Sequence, residues 1–285
     1  FRFNQQSTVI PRAPLGQLFY GDDGIPRGMA KTDKNNFAPR IGIAWDPTGK
    51  GRTAIRAGWG MFYAISFANV TSNLQGQPFL IDVTAFGTPN LVDPWSGVAG
   101  GSPFPYTLDR NNPRFSLPLT TNYYGENAAT PYVQHYSFTV EQQVTSTLTV
   151  QGAYVGNVSR KLFFQRDANV PTFGPGATAG NINARRPYRP AEFAQIAHTQ
   201  TRSNAHYDSL QLSFRQRVVR GFTINGSYTF SKSIDEISDD IFSATAVALV
   251  DSNNRALDRG LSGFNPPHVF VVSYLWEIPR VDRYS

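Results

Sequence analysis

Cysteine is missing from all 285 residues, which removes disulfides, thiolate metal sites and a cysteine nucleophile together. Charge is scarce as well: Asp, Glu, Lys and Arg make up 16% of the chain, where about a quarter is usual. No run of about 18 apolar residues exists, so no segment can cross a membrane as a helix. The longest apolar-rich piece, 241–250, is too short and is broken by Ser243 and Thr245. The four histidines, His135, His198, His206 and His268, show no HExxH, HxH or other metal-ligand spacing. No G-x-S-x-G elbow, Walker A loop or dinucleotide fingerprint follows a strand and opens a helix. Gly58-Trp59-Gly60 lies inside a strand pattern, where glycines leave room for a neighbour. No catalytic, cofactor or metal residue is therefore read, and the chain is not expected to be an enzyme. The acidic group Asp235, Glu236, Asp239 and Asp240 offers oxygen ligands but lacks the EF-hand spacing, and reads as a solvated loop. The chain begins at Phe1 with no basic-then-apolar leader and reads as an internal piece of a longer protein.

The excess of basic residues gives a net charge of +6 and a pI near 9.6. Nucleic-acid binders concentrate such charge in a patch or tract. Here it is scattered through strand and loop patterns, with Arg185, Arg186 and Arg189 the densest group, so no nucleic-acid partner is expected.

What is present is the material of strands and turns: 13% aromatic residues, with abundant Gly and Pro. In the stretch 207–234, Leu210, Leu212 and Phe214 alternate with Ser209, Gln211, Ser213, Arg215 and Arg217. Beyond Arg220-Gly221, Phe222, Ile224, Tyr228 and Phe230 alternate with Thr223, Asn225, Ser227, Thr229 and Ser231. A period of two on both sides of a tight turn predicts a hairpin with one apolar and one polar face. Each arm runs for about a dozen residues, longer than the usual five or six of a soluble strand and enough for the roughly 9–11 of a tilted membrane strand.

The same pattern recurs along the chain. Ile41, Ile43 and Trp45 alternate with Arg40, Gly42 and Ala44; after a turn through Asp46-Pro47-Thr48-Gly49, Ile55, Ala57, Trp59, Met61 and Tyr63 alternate with Arg56, Gly58, Gly60 and Phe62. Tyr132, Tyr136, Phe138 and Val140 oppose His135, Ser137, Thr139 and Glu141, and after Thr145-Ser146 come Leu148, Val150 and Tyr154 against Thr149, Gln151 and Ala153. A last run places Phe270, Val272, Tyr274 and Trp276 on one face, although Val269, Val271 and Leu275 leave its outward side open. Seven long strands are predicted, joined by alternately short and long connections, with long loops at about 1–36, 66–131, 159–205 and 235–266. Antiparallel up-and-down strands then carry every short turn at one end and every long loop at the other, the asymmetry of a bacterial outer-membrane barrel. Trp45, Trp59, Tyr63, Tyr132, Tyr136, Tyr154, Tyr228, Tyr274 and Trp276 fall mostly toward strand ends on the apolar phase, where an interfacial girdle belongs. Ordinary core aromatics of a soluble all-β module, for instance one that stacks sugars, are the competing reading; strand length and loop sorting oppose it.

The segments NNFAPRIGIAWDPTGKGRTAIRAGWGMFYA (35–64), YDSLQLSFRQRVVRGFTINGSYTFSKSID (207–235) and RALDRGLSGFNPPHVFVVSYLWEIP (255–279) resemble TonB-dependent outer-membrane receptors of the Oar-like type, which carry a carboxypeptidase-regulatory-like domain ahead of a plug and barrel. The resemblance covers roughly half the chain. It implies that residues 1–285 are part of an antiparallel transmembrane β-barrel of about 22 strands with a plugged lumen, the plug, TonB box and regulatory-like domain lying outside this chain. It also implies a place in the cell outer membrane, lipid as surroundings, the TonB complex as partner through the missing parts, and uptake of a glycan, peptide or metal chelate. A passive porin or an adhesive barrel is the alternative. By itself the chain should form an open, curved sheet. The polar phase marks Arg40, Arg56, Gln151, Arg215, Arg217, Asn225 and Lys232 as expected lumen-facing residues, and Trp95, Tyr106, Tyr123 and Tyr124 as expected ligand contacts in loops.

Overall fold

The computed structural model describes residues 1–27, 31–64, 76–80, 92–96, 101–102, 104–105, 107–109, 111–218, 221–238 and 249–277. Its strands are β1 (Arg40–Trp45), β2 (Thr53–Tyr63), β3 (Leu119–Tyr124), β4 (Tyr132–Gln143), β5 (Leu148–Asp167), β6 (Phe193–Val218), β7 (Phe222–Asp235), β8 (Gly260–Leu261) and β9 (His268–Trp276). They join one sheet in the order β1-β2-β4-β5-β6-β7-β8, with β9 also on β7 and β3 on β6. The seven long strands predicted from the alternation are all present. No pairing among the described residues joins β1 to β9, so the sheet is open. No helix among these residues is long and apolar enough to cross a membrane.

Two compact units divide the chain: 1–32, 66–128 and 165–200 form one, and 33–65, 129–164 and 201–285 the other. In the second, the backbone ladders are antiparallel and continuous. Arg40 lies opposite Gly60, Arg56 opposite Thr139, Glu141 opposite Gln151, Arg215 opposite Asn225, and Asn225 opposite Ser273. Direct opposition keeps one parity on one face, so the polar phases of successive strands line a common side. The other side carries Ile41, Ile43, Phe138, Val140, Leu210, Leu212, Phe270 and Tyr274, all of them exposed. β9 is settled by its register: Tyr274 lies opposite Ile224 and Trp276 opposite Phe222, which puts Phe270, Val272, Tyr274 and Trp276 on the aromatic face and Val269, Val271 and Leu275 on the polar one.

The short turns are fastened locally. Asp46 accepts the amides of Thr48 (3.0 Å) and Gly49 (3.1 Å) on one oxygen and that of Gly51 (2.6 Å) on the other. The Gly51 amide, helped by the Thr48 hydroxyl, holds this carboxyl below its ordinary range. Gly49 and Gly51 take left-handed backbone (φ 63° and 68°), which the turn requires and a side chain would resist. Between β4 and β5 the Thr145 hydroxyl accepts the amides of Thr147 and Leu148.

The first unit has a small core of its own. Leu119, Phe193 and Ile196 are fully buried, with Phe1, Phe115, Tyr123, Ala168 and Tyr188 packed on them. β3 and the first residues of β6 pair in parallel, Tyr123 opposite His198 and Tyr124 opposite Thr199. Asp22 ties the N-terminal segment together: its carboxylate accepts the Thr8 and Val9 amides (2.7 and 3.0 Å), the Ser7 hydroxyl (3.1 Å) and the Phe19 amide (2.8 Å). The part-buried ion pair of Arg186 with Asp167 (2.6 Å), with Asn169 bridging Tyr188 and Ala194, fastens the 168–192 segment.

These contacts correct the expected loops. The connection expected at 159–205 is reduced to 168–192, because β5 runs on to Asp167 and β6 starts at Phe193. The expected 66–131 loop contains β3, and the 235–266 loop contains β8. Their apolar residues are packed without a period, so local alternation could not reveal them.

Candidate functional site

The candidate site lies on the polar face of the second unit. Gln151, Arg215, Arg217 and Asn225 line a cavity of about 500 Å³ together with Glu141 and Ser273. β5, β6 and β7 supply the first four side chains, each from a position where the alternation turns away from the apolar face. The face carries Arg40, Arg56, Arg215 and Arg217 with Glu141 and, at the far end of β7, Asp235, so basic side chains predominate around the cavity. Arg56 donates to Glu141 at 2.8 Å. Both groups are open to solvent, so this pair contributes about 0–1 kcal/mol and mainly fixes the position of Glu141. Arg40 lies over the Phe62 ring, 4.4 Å from its centroid. Arg215 and Arg217 make no side-chain ion pair among the described residues and present their guanidinium groups to the cavity. Such a surface attracts anions and hydrogen-bonds polar solutes. No group of three metal-ligating side chains is found among the described residues.

Six of the seven residues expected on the lumen side thus share one face: Arg40, Arg56, Gln151, Arg215, Arg217 and Asn225. Lys232 does not. Its register partner is Asp208, and it has the parity of Phe222, Ile224, Tyr228 and Phe230, so it stands on the aromatic face. The run Ser231-Lys232-Ser233 looks polar throughout, and residue type overrode parity in the expectation. Counting in twos from Phe230 finds the right face.

The loop candidates also change. Tyr123 and Tyr124 sit in β3, not in an irregular loop. Tyr124 is 9% exposed and its hydroxyl titrates above the ordinary range because it is buried. Tyr123 stacks on His198 with centroids 4.2 Å apart and is likewise raised by burial. Both rings are committed to packing. Trp95 lies half-buried in a turn against Phe104, with centroids 6.0 Å apart. Tyr106 falls outside the described residues, as do Asp239 and Asp240.

A second group escaped the sequence, this time on the aromatic face. Tyr136 and Tyr154 both donate to Asp208 Oδ1, at 2.8 and 2.6 Å, and His206 Nε2 lies 2.5 Å from Oδ2. Three strands converge on one carboxylate. The signal was an Asp on the apolar phase of β6, two positions before Leu210.

A family model described as an outer membrane β-barrel domain matches residues 1–284. None of the curated proteins matches the chain. Among solved structures it is similar to the outer membrane transporter YddB from Escherichia coli, with 15% identity and a TM-score of 0.45 over 71% of this chain and 21% of that one. It is also similar to the FrpB iron transporter from Neisseria meningitidis, with 10% identity and a TM-score of 0.36 over 70% of this chain and 20% of that one. The siderophore receptor PirA from Pseudomonas aeruginosa aligns with 10% identity and a TM-score of 0.35 over 70% of this chain and 28% of that one. The chain spans between a fifth and somewhat over a quarter of the length of these proteins.

Proposed function

The chain belongs to the outer membrane β-barrel domain family, and from that premise we propose that it forms part of the wall of a TonB-dependent transporter of the Oar-like type. Its place is the cell outer membrane. The observation that carries the transport reading is the division of the sheet's two faces: exposed aliphatic and aromatic side chains on one, and on the other four arginines, two of which, Arg215 and Arg217, line a polar cavity. In a barrel the first face meets lipid and the second meets the lumen. The connections support the same arrangement. Those at 46–52, 144–147 and 219–221 are short, and those at 64–131, 168–192 and 236–267 are long.

In this reading Arg40, Arg56, Gln151, Arg215, Arg217 and Asn225 line the lumen. Parts of the protein outside this chain supply the plug and the contact with the TonB complex. The solute is a scarce nutrient such as a glycan, peptide or metal chelate, and of the expected loop aromatics Trp95 is kept as a candidate contact. Passage depends on positioning and polarity, so no catalysis is assigned.

The test uses the complete protein. Reconstituted in liposomes, it should leave them osmotically closed to small sugars, because the lumen is plugged, and it should bind the periplasmic domain of TonB. Free swelling with no TonB binding would point to a passive porin instead.

A further inference from the structure

On the aromatic face, Lys232 of β7 is the direct cross-strand neighbour of Asp208 in β6. The two would be expected to pair, yet both carboxylate oxygens are engaged elsewhere: Oδ1 by the hydroxyls of Tyr136 and Tyr154, Oδ2 by His206. Lys232 is exposed and has no ion pair among the described residues. A cation without a counter-ion has thus been placed on the side of the sheet that meets lipid.

Its height on that side decides what can reach it. Ten residues separate Lys232 from Phe222, which faces Trp276 beside the short turn. At about 3.3 Å per residue and a tilt near 40°, that length covers about 25 Å of membrane, the height of the apolar band of a barrel. Lys232 therefore stands at the upper edge of the band, level with the Tyr136, Tyr154 and His206 group and on the side of the long, external connections. A lysine at this height extends its ammonium toward the headgroups while its stem stays in the acyl region. Arg160, opposite Tyr132 on the same face, adds a second exposed cation further out.

We propose that Lys232 binds the phosphate of a lipid in the outer leaflet. The Asp208 group makes this possible by withdrawing the cross-strand carboxylate from competition. Charge selects the lipid phosphate, and the surrounding exposed apolar side chains, Leu210 and Phe230 among them, accept its acyl chains. This rests on the outer-membrane location and not on the transport reading.

The complete protein, stripped of lipid in detergent, would be incubated with phosphatidic acid or with phosphatidylcholine of the same chain length, and bound lipid counted by native mass spectrometry. Phosphatidic acid should be retained in preference. Lys232→Gln should lower its retention about fivefold, the share of one lysine near a membrane surface, while Lys232→Arg keeps it. Arg215→Gln, on the opposite face, should leave it unchanged. Equal retention by Lys232→Gln and wild type would overturn the proposal, as would an equal loss in Arg215→Gln. Displacement of the lipid by inorganic phosphate alone would overturn it too, because the site would then recognise the anion without its chains.

Discussion

Lys232 and Asp208 face each other across the β6–β7 ladder and do not form an ion pair. Opposite charges at a direct cross-strand position normally attract, by roughly 0.2–1 kcal/mol. Here the carboxylate satisfies two phenols and an imidazole, drawing together β4, β5 and β6 at one level of the aromatic face. The local consequence is a clamp between strands, and the wider one is a lysine left without a side-chain ion pair among the described residues.

The clamp should be measurable in stability. Tyr136→Phe and Tyr154→Phe each remove one hydrogen bond to a charged acceptor, and each should lower stability, the part-buried Tyr136 more than the exposed Tyr154. Because both donate to the same oxygen, the double variant should lose less than the sum of the single losses. Urea unfolding of the complete protein in detergent reads this, and strict additivity would show that the two phenols act independently.

The face assignment can be read by single cysteines, since the chain has none of its own. Arg215→Cys and Asn225→Cys should react with water-soluble maleimides, and Leu212→Cys and Phe270→Cys with lipid-soluble reagents. Lys232→Cys is expected to follow the lipid-side group or to label at its border. Labelling of Lys232→Cys together with Arg215→Cys would return Lys232 to the lumen side.

Gly156 lies directly opposite Tyr136, and a Cβ added there would fall 2.5 Å from the tyrosine ring. The bare glycine lets the ring lie flat across the ladder with its hydroxyl on Asp208. Gly156→Val should force the ring aside and destabilise the protein by about 1–3 kcal/mol. Tyr136→Phe made in the Gly156→Val background should then cost little more. A full additional loss would mean the hydrogen bond had survived the substitution.

Acid should loosen the first unit through Asp22. Burial acts to raise this carboxyl, but the amides of Phe19, Val9 and Thr8 and the Ser7 hydroxyl outweigh it, and the folded group titrates below the ordinary range. A depressed folded value stabilises the fold above the unfolded one, about 3.9, and that contribution drains away as pH falls through the lowered folded value. Exchange of the Thr8, Val9 and Phe19 amides should therefore accelerate below about pH 4, while the turn amides at Thr145–Leu148, which no carboxylate holds, stay protected. Equal acceleration at both places would point to general acid unfolding.

The sequence alone determined the seven long strands, the phase of Arg56, Gln151, Arg215 and Asn225, and the sorting of short and long connections. It could do so because a half-exposed strand repeats every two residues, and that period is local. The same rule held the correct face of Lys232, hidden by the two serines beside it. Tertiary structure alone decided that Leu119–Tyr124 pairs in parallel with Phe193–Thr199, that Asp22 gathers Ser7, Thr8, Val9 and Phe19, and that Tyr136 and Tyr154 meet on Asp208. Each joins residues far apart in the chain or in non-periodic segments, and each depends on the stagger between strands or on how irregular chain packs. Period two leaves both undetermined, so the partner that Lys232 lacks became visible only when the third strand was in place.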